Sequence, residues 1–252
     1  MTQLIDLLQG KRIGIAFSGG AVRGLAHIGV IKALTEVGIK PAVISGTSVG
    51  SIIGAALAAG MAWREMSEMA KAIFWPSLLH GKTLEGFAAE YLPPTFEHLK
   101  TPFAAVATII PANKPYTLKS GPLAPAISAS CALRLLRRPV LHEGLQLKDG
   151  GFSCVMPTHA CHELGADFVI GSDVWEWSSF MRSLGISPFE RRWVGMHPLH
   201  YRSALEKTDL HIHPHIPHAG YFPRSSAVDK MIAAGELAAH RVLKESAKQA
   251  QA

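Results

Sequence analysis

The pattern that predicts the fold class lies in residues 13–50, which read IGIAFSGGAVRGLAHIGVIKALTEVGIKPAVISGTSVG. Two short apolar runs, Arg12–Phe17 and Ala42–Ser45, each lead into small residues, as buried strands do when they enter a tight turn. The segment between them, Val22–Val37, has the spacing of a helix and stops at Gly38. Strand, helix and strand in this order predict a parallel pair of strands in an α/β fold.

The rest of the chain continues this alternation. Residues 49–59 follow the second strand, carry no charge and are rich in Ala and Gly, which predicts a helix buried on every side. Further strands are predicted at residues 103–110, 116–118, 146–148 and 167–174, and further helices at 123–133, after Pro157 and at 227–243. The alternation predicts an α/β sandwich with a largely parallel central sheet.

Length and composition favour a single domain over residues 1–252. Of the 252 residues, 48% are hydrophobic and 17% are charged, which excludes a disordered chain. The longest apolar run, Ile39–Met61, is broken by Lys40 and Pro41, so it does not predict a transmembrane helix. An irregular stretch at about 175–201, rich in Trp, Ser, Pro and Arg, is predicted to be a lid or loop region.

The cysteines and the first residues predict a cytoplasmic protein. Cys131, Cys154 and Cys161 match neither a zinc ribbon nor a disulfide framework, so we expect free thiols in a reducing compartment. Residues 1–10 place Asp6 inside their only apolar stretch, which argues against a signal peptide. The oligomeric state is not set by these features.

The charge balance is basic, because 25 Lys and Arg stand against 19 Asp and Glu and give a net charge of +6. This charge favours peripheral contact with an anionic membrane. Two segments are candidates for that contact, the basic turn Arg134–Arg138 and the aromatic side chains of 175–201. The same residues fit two other interpretations equally well. The basic turn could simply be solvated, and the aromatic side chains of 175–201 could cover the core. We expect no nucleic-acid partner, since no recognition module accompanies the charge.

A candidate nucleophile lies in Gly46-Thr47-Ser48-Val49-Gly50, at the end of the second predicted strand. A serine on a sharp strand-to-helix turn presents its Oγ outward, and Gly46 and Gly50 on either side avoid crowding the strand and the helix. The positive end of the following helix would stabilise negative charge that develops during acyl transfer. The motif therefore predicts a nucleophile elbow with Ser48 as the nucleophile.

The turn after the first strand carries a run of small residues that can present backbone N–H groups to an oxyanion. The candidate oxyanion-hole residues are Gly19, Gly20, Ala21, Arg23 and Gly24. A dinucleotide fingerprint is the alternative, but it requires an acidic residue at the end of the second strand, where the serine turn stands here. The oxyanion interpretation is therefore preferred.

A candidate base follows a later predicted strand, in Lys148-Asp149-Gly150-Gly151. Such a sequence on its own is typical of a turn. In company with the two earlier motifs, Asp149 becomes a candidate general base for Ser48.

The sequence resembles the bacterial patatin-like phospholipases, which are serine acyl hydrolases with a Ser/Asp dyad. The resemblance runs in order through segments in most of the chain, namely Ile13–Val30, Ile44–Ser51, Gly121–Ala132, Asp149–Gly151 and Glu163–Val174. It implies a three-layer α/β/α fold with a mainly parallel sheet. It also implies that Ser48 is the nucleophile, that Asp149 is its base, and that a lipid ester is hydrolysed without metal or organic cofactor.

The resemblance further implies that the loop around Gly20 and Ala21 forms the oxyanion hole, with these two amides as its donors. Three departures from the family pattern are visible. Ala21 stands where a third glycine is common, Arg134–Pro139 replaces a proline-rich turn, and Ser153-Cys154 replaces an Asn-Pro pair. Alanine at position 21 supplies the same backbone amide donor as glycine would, unless the position requires a positive φ. Because of the other two departures, the substrate specificity of relatives cannot be assigned to this protein.

Histidines supply two further hypotheses. An α/β hydrolase with a Ser-Asp-His triad would draw its histidine from the 13 in the chain, which include His159, His162, His197 and His200, but its nucleophile would not come so early in the chain. The run His211–His215, with His218 nearby, could bind a metal, but no carboxylate or cysteine cluster accompanies it in the sequence, so no metal site is predicted. For His27 we expect a structural hydrogen bond.

A different class of function stays open at this stage. A patatin-like protein that has lost turnover could bind lipid or regulate a partner with the same residues. The sequence predicts the capacity for acyl transfer and leaves head group, acyl length and positional preference undetermined.

Overall fold

An eight-stranded mixed sheet forms the centre of the molecule in the computed structural model, which describes residues 8–73, 81–133, 138–175, 198–216 and 225–249. In chain order the strands are β1 Ile13–Phe17, β2 Val43–Thr47, β3 Phe103–Ile110, β4 Lys114–Leu118, β5 Val140–His142, β6 Leu145–Asp149, β7 Phe168–Ser172 and β8 Leu210–Ile212. Their spatial order is β5-β6-β3-β2-β1-β7-β8, and β4 also pairs with β3.

The sheet is mainly parallel. Strands β3, β2, β1, β7 and β8 run in one direction, whereas β4 and β6 are antiparallel to β3 and β5 is antiparallel to β6. Every residue of β1, β2 and β7 is buried. Short continuous apolar strands are expected where both faces of a parallel sheet are covered.

Helices cover both faces, which confirms the expected three-layer α/β/α architecture. The α-helices are α1 Ala26–Glu36, α2 Val49–Ala59, α3 Trp63–Ala72, α4 Gly81–Tyr91, α5 Leu123–Ser130, α6 Thr158–Glu163, α7 Pro198–Glu206 and α8 Ser225–Gln249. Short 3₁₀ helices lie at Ala21–Leu25, Phe96–His98 and Gly150–Phe152.

Alternating side chains of β1 divide the interior into two main layers. Ile15 and Phe17 belong to the large core that includes residues of α1, α2 and α8. Ala16 points to the other face and belongs to a smaller cluster with Cys161 of α6 and Val169 of β7. This is the period of two that a strand buried on both faces requires.

Helix α8 packs on α1 as its amphipathic pattern predicts. Val228 and Met231 on its inner face are buried. The two backbones approach so closely that a Cβ on Gly29 would lie 1.8 Å from the carbonyl oxygen of Ile232, and one on Gly235 would lie 1.9 Å from that of Ala26. Only glycine fits at this crossing.

Most predicted elements are present with shifted ends. The first helix was expected from Val22, but residues Ala21–Leu25 form a 3₁₀ turn and the α-helix begins at Ala26. The predicted strand 167–174 ends at Ser172, because the Val174 amide leaves the sheet and donates to Ser18 Oγ at 2.8 Å. The elements that were not predicted include the three-residue strands β5 and β8 and the helices α4 and α7.

The expectation that residues 49–59 are buried on every side is wrong in part. Ile52, Leu57 and Ala59 of α2 are only partly buried. A helix in an outer layer rests one face on the sheet, so its uncharged composition does not ensure cover for the other face.

The predicted lid lies mostly outside the described residues, which omit 176–197. At its edges, Trp175 is buried, and residues 198–201 belong to helix α7 rather than to a loop. Residues 134–137 of the basic turn also lie outside the described residues. Across the described ranges, none of the helices has the length and apolar character needed to cross a bilayer.

Candidate active site

Ser48 occupies the strained turn that its motif predicts. It follows β2, caps α2 and has a φ of +53°, which side-chain-bearing residues rarely adopt. A Cβ on Gly46 would lie 2.2 Å from the carbonyl oxygen of Gly50, and a Cβ on Gly50 would lie 2.3 Å from that of Phe17. Both flanking glycines are therefore required for the turn to pack between strand and helix.

Asp149 lies beside Ser48 because of the strand register. Strand β2 ends where Thr47 pairs with Val106 of β3, and β6 ends where Asp149 pairs with Ala107. Because β2 is parallel and β6 antiparallel to β3, their carboxyl ends meet at neighbouring residues of β3. Two residues that are far apart in the sequence are thereby brought into contact.

The contact is a direct hydrogen bond. Ser48 Oγ donates to Asp149 Oδ2 at 2.7 Å, and the Gly151 amide donates to Asp149 Oδ1 at 2.8 Å. Asp149 is 5% exposed. The second carboxylate oxygen is thus fixed by backbone while the first faces the hydroxyl, which orients the carboxylate toward Ser48.

Ser130 at the end of α5 holds the backbone of the nucleophile. Its Oγ accepts from the Ser48 amide at 2.9 Å and donates to the Val106 carbonyl at 2.6 Å. Ser130 was part of the family resemblance but received no role from the sequence. The signal that could have found it is a buried hydroxyl in a mostly apolar helix, because such a group needs partners.

The oxyanion loop lies against the nucleophile turn. A Cβ on Gly19 would lie 3.6 Å from Ser48 Cβ, in ordinary contact. The Gly19 amide itself donates to the Val155 carbonyl at 2.9 Å, and the Arg23 amide donates to the Gly20 carbonyl at 3.2 Å. These two amides are engaged in the structure and are not available to a substrate oxygen.

Gly20 and Ala21 are the remaining donors at the start of the loop. Their amides have no acceptor among the described residues. Ala21 itself adopts a φ of +50°, so alanine keeps the amide in place at this position at the cost of backbone strain that glycine would avoid. Gly24 has a packing role, since a Cβ there would lie 2.4 Å from Cγ1 of Val49.

The carboxyl end of β7 supports this loop. The Ser18 amide donates to the Ser172 carbonyl at 3.0 Å, and Arg23 Nε donates to the Val174 carbonyl at 3.0 Å. A Cβ on Gly20 would lie 2.7 Å from Val174 Cγ2, so the Val174 side chain packs directly against the Gly20 backbone. The loop is therefore held in place from the side opposite Ser48.

His27 makes the structural hydrogen bonds expected of it. Its Nε2 lies 3.0 Å from the Ser18 carbonyl and its Nδ1 lies 2.7 Å from Ser172 Oγ. Since a carbonyl only accepts, Nε2 carries the proton and Nδ1 accepts from the Ser172 hydroxyl. Burial lowers the pKa of His27 to about 4, so the ring is neutral at pH 7.

Two of the histidines proposed for a triad, His159 and His162, have partners other than Ser48 and Asp149. His159 Nδ1 is 3.6 Å from Cys154 Sγ, and the ring of His162 faces the carbonyls of Ala166 and Lys207. The Ser48 hydroxyl donates straight to a carboxylate with no imidazole between them. His197 lies outside the described residues.

The three cysteines are free thiols in the structure. Burial raises the pKa values of Cys154 and Cys161 to about 12, so both are neutral at pH 7. A neutral buried thiol is a poor nucleophile. Neither cysteine therefore competes with Ser48 for the role of nucleophile.

The histidine run does meet a carboxylate, contrary to the sequence expectation. His211 Nε2 lies 2.9 Å and His213 Nδ1 lies 3.4 Å from Oδ2 of Asp173, which follows β7. His215 is exposed, and His218 lies outside the described residues. Sequence reasoning missed the cluster because its carboxylate is 38 residues away from His211 and joins it only when β7 pairs with β8.

Comparisons with known proteins identify relatives of this chain by sequence. Lysophospholipase nte1 of Aspergillus fumigatus is 31% identical over 193 residues, which cover 68% of this chain and 12% of that protein. An uncharacterised NTE family protein of Mycobacterium bovis is 33% identical over 173 residues, covering 63% of this chain and 48% of that protein. The chain thus spans half or less of these relatives.

Solved structures show the same fold at low sequence identity. VipD from Legionella pneumophila has a TM-score of 0.64 at 15% identity and covers 93% of this chain and 67% of its own. The type III effector ExoU has a TM-score of 0.54 at 12% identity and covers 94% of this chain and 53% of its own. A sequence model described as patatin-like phospholipase matches residues 15–162, more than half of the chain. On this match the chain belongs to the patatin-like phospholipase family.

Proposed function

We propose that this protein hydrolyses a carboxylic ester of a lipid, of the phospholipid or lysophospholipid class, through an acyl-enzyme on Ser48. The family and its lysophospholipase relatives support a lipid ester hydrolase. The observation that carries the mechanism is the 2.7 Å hydrogen bond from Ser48 Oγ to Asp149 Oδ2. This contact is the one that a two-residue proton transfer needs.

In the first half-reaction Ser48 Oγ attacks the ester carbonyl carbon while its proton passes to Asp149 Oδ2. The carbonyl oxygen becomes negative and is stabilised by the Gly20 and Ala21 amides, each a donor of the kind worth about 3 kcal/mol. The positive end of α2 adds to this stabilisation. The ester C–O bond then breaks, and the leaving alcohol takes the proton from Asp149.

In the second half-reaction water attacks the acyl carbon and gives its proton to Asp149. The negatively charged oxygen of the tetrahedral intermediate again accepts hydrogen bonds from the Gly20 and Ala21 amides. Its collapse returns the proton to Ser48 Oγ and releases the carboxylic acid. Asp149 acts first as base and then as acid in each half, and no metal or organic cofactor enters the proposed reaction.

A fluorophosphonate probe tests the nucleophile without a choice of substrate. The probe phosphonylates an activated serine, and peptide mass spectrometry locates the adduct. We expect labelling at Ser48 that disappears in Ser48→Ala and is strongly slowed in Asp149→Asn. Unlabelled wild-type protein is then screened for hydrolysis of phospholipid, lysophospholipid and simple carboxylic esters. A folded wild-type protein with an unlabelled Ser48 would instead favour a catalytically silent, lipid-binding role.

We further propose that the protein contacts anionic membranes at their surface, where its lipid substrate resides. The net charge of +6 supports this contact. Sedimentation with vesicles of neutral lipid alone, and with vesicles that contain an anionic phospholipid, tests it. Binding to the anionic vesicles that weakens with added salt is the expected result, and equal recovery in the supernatant for both vesicle types contradicts it.

A further inference from the structure

A cluster of side chains that can bind a metal ion lies at the carboxyl end of β7, separate from the proposed Ser48–Asp149 pair. Asp173, His211 and His213 each offer one ligand atom, and these atoms all lie within 4.8 Å of one another. His211 belongs to β8 and His213 directly follows it. Residues two apart on a strand share a face, so both rings are directed to the same side.

We propose that Asp173, His211 and His213 bind a divalent transition-metal ion of the zinc class. Two imidazole nitrogens and a carboxylate oxygen are ligands that zinc commonly takes. In a tetrahedral site with bonds of about 2.05 Å, neighbouring ligand atoms are separated by about 3.3 Å. The two distances to Asp173 Oδ2, 2.9 Å from His211 and 3.4 Å from His213, lie on either side of that spacing.

The hydrogen bonds around the cluster leave one nitrogen unsatisfied. His213 Nδ1 is buried and makes no hydrogen bond within the described part of the chain, although it faces the carboxylate. Oδ2 of Asp173 already faces the hydroxyl of Tyr201 and the Nε2 of His211. A cation between the two nitrogens and this oxygen would satisfy all three atoms at once.

Groups outside the cluster hold the carboxylate in position. The Trp175 amide donates to Asp173 Oδ1 at 3.0 Å, and the Tyr201 hydroxyl donates to Oδ2. The carboxylate side chain is completely buried. Metal-ligating carboxylates are commonly fixed by such outer hydrogen bonds, which reduces the cost of assembling the ligands.

A metal at this place would tie β8 to the segment that supports the oxyanion loop. Asp173 directly precedes Val174, whose amide donates to Ser18 Oγ and whose carbonyl accepts from Arg23 Nε. The ion would therefore stabilise the fold near the proposed active site without contacting Ser48. The inference does not depend on the proposed hydrolytic function.

The other cluster with metal-ligand chemistry is less suitable. Glu36, Glu236 and His240 also bring three ligand atoms together, at the contact of α1 with α8. There the ammonium of Lys32 lies 2.6 Å from Glu236 Oε1 and already neutralises it. That cluster serves as an internal comparison for the test.

The test measures zinc bound by the purified full chain after EDTA treatment, exchange into metal-free buffer and dialysis against micromolar zinc. We expect one zinc per chain, measured by elemental analysis, and a higher melting temperature with zinc than with EDTA. His211→Gln and His213→Gln should each bind zinc at least ~100-fold more weakly, because each loses a ligand. Circular dichroism establishes that these variants are folded.

Two matched variants complete the design. His215→Gln changes an exposed histidine of the same segment, and His240→Gln changes the other cluster, so both should keep the zinc. Wild-type protein that retains no zinc overturns the proposal. So does unchanged stoichiometry in the folded His211→Gln/His213→Gln double variant, and so does loss of zinc in His240→Gln alone.

Discussion

Asp149 and Asp173 each follow a strand of the same sheet, but their carboxylates are surrounded by different partners. Asp149 is fixed on one oxygen by the Gly151 amide and receives the Ser48 hydroxyl on the other. Asp173 receives the Trp175 amide on one oxygen, and its other oxygen faces Tyr201 and two imidazoles. A carboxylate that faces a reactive hydroxyl can exchange a proton, whereas one surrounded by stronger donors stays ionised.

Electrostatics supports this division for Asp173. Burial raises its pKa, but hydrogen bonds from His211, Tyr201 and the Trp175 amide, together with the nearby His213 ring, outweigh burial and hold the pKa well below the usual range. Burial of the phenol raises the pKa of Tyr201, and the same contact with Asp173 raises it further. Asp173 is therefore ionised and a poor proton acceptor at neutral pH, and we expect it to contribute to stability.

The largest effect is expected from Asp149→Asn, which tests the catalytic side of the comparison. An amide keeps the shape of the carboxylate but cannot take the serine proton, so the rate of ester hydrolysis should fall by about a thousandfold. The free energy of unfolding should change little. Ester turnover and urea denaturation of the same preparation measure both. Activity within tenfold of wild type would show that Asp149 is not the base.

Asp173→Asn tests the stabilising side. Loss of the charge leaves Tyr201, His211 and His213 facing a neutral amide in a buried place, and the free energy of unfolding should fall by about 4 kcal/mol. Urea denaturation in the presence of EDTA measures this without a contribution from bound metal. Serine labelling at low temperature, where the variant is folded, should persist. A stability equal to that of wild type would contradict the assigned role.

A smaller effect is expected from His27, which hydrogen-bonds both to the oxyanion loop and to the end of β7. Its folded pKa of about 4 lies below the value of 6.5 for an exposed histidine. The unfolded chain therefore binds a proton first as the pH falls, and stability present above pH 6.5 is lost between 6.5 and 4. This loss amounts to about 3 kcal/mol.

The matched variant for this prediction is His27→Gln, which removes the titrating group and keeps hydrogen-bonding atoms. Denaturation midpoints at several pH values between 7 and 4.5 should fall more steeply in the wild type than in the variant. The difference between the two curves isolates His27 from the other groups that titrate in this range. Parallel curves would show that the buried ring does not oppose protonation.

The two carboxylates also differ in how far the sequence could predict them. Ser48 and Asp149 lie in short glycine-containing motifs that are visible in the sequence, although their contact depends on the register of β2 and β6 on β3. The roles of Asp173 and Ser130 arise from pairing between distant elements, namely β7 with β8 and α5 with the end of β2. No local periodicity encodes such contacts.

The fold was predictable for a similar reason. The parallel strands β1, β2 and β7 are continuous apolar runs bounded by turn residues, and the alternation with helices sets the architecture. The three-residue strands β5 and β8 are too short to show a period. Likewise, the engaged amide of Gly19 could not be known before its partner Val155 was placed.

The smallest effect is expected from Ala21→Gly in the oxyanion loop. Ala21 has a φ of +50°, and a side chain in this region costs about 1 kcal/mol, part of which the greater freedom of glycine in the unfolded chain offsets. The free energy of unfolding should therefore rise by about 0.5 kcal/mol. The rate of serine labelling should stay within twofold of wild type, since the amide donor is unchanged.

Asn113→Gly is the matched control, because Asn113 has a similar φ of +53° in the turn between β3 and β4, away from Ser48. Asparagine tolerates this conformation better than alanine, so the gain should be smaller there. Thermal or urea denaturation compares the two variants. A loss of stability in Ala21→Gly, with a gain in Asn113→Gly, would mean that the Ala21 methyl makes packing contacts worth more than the strain it imposes on the loop.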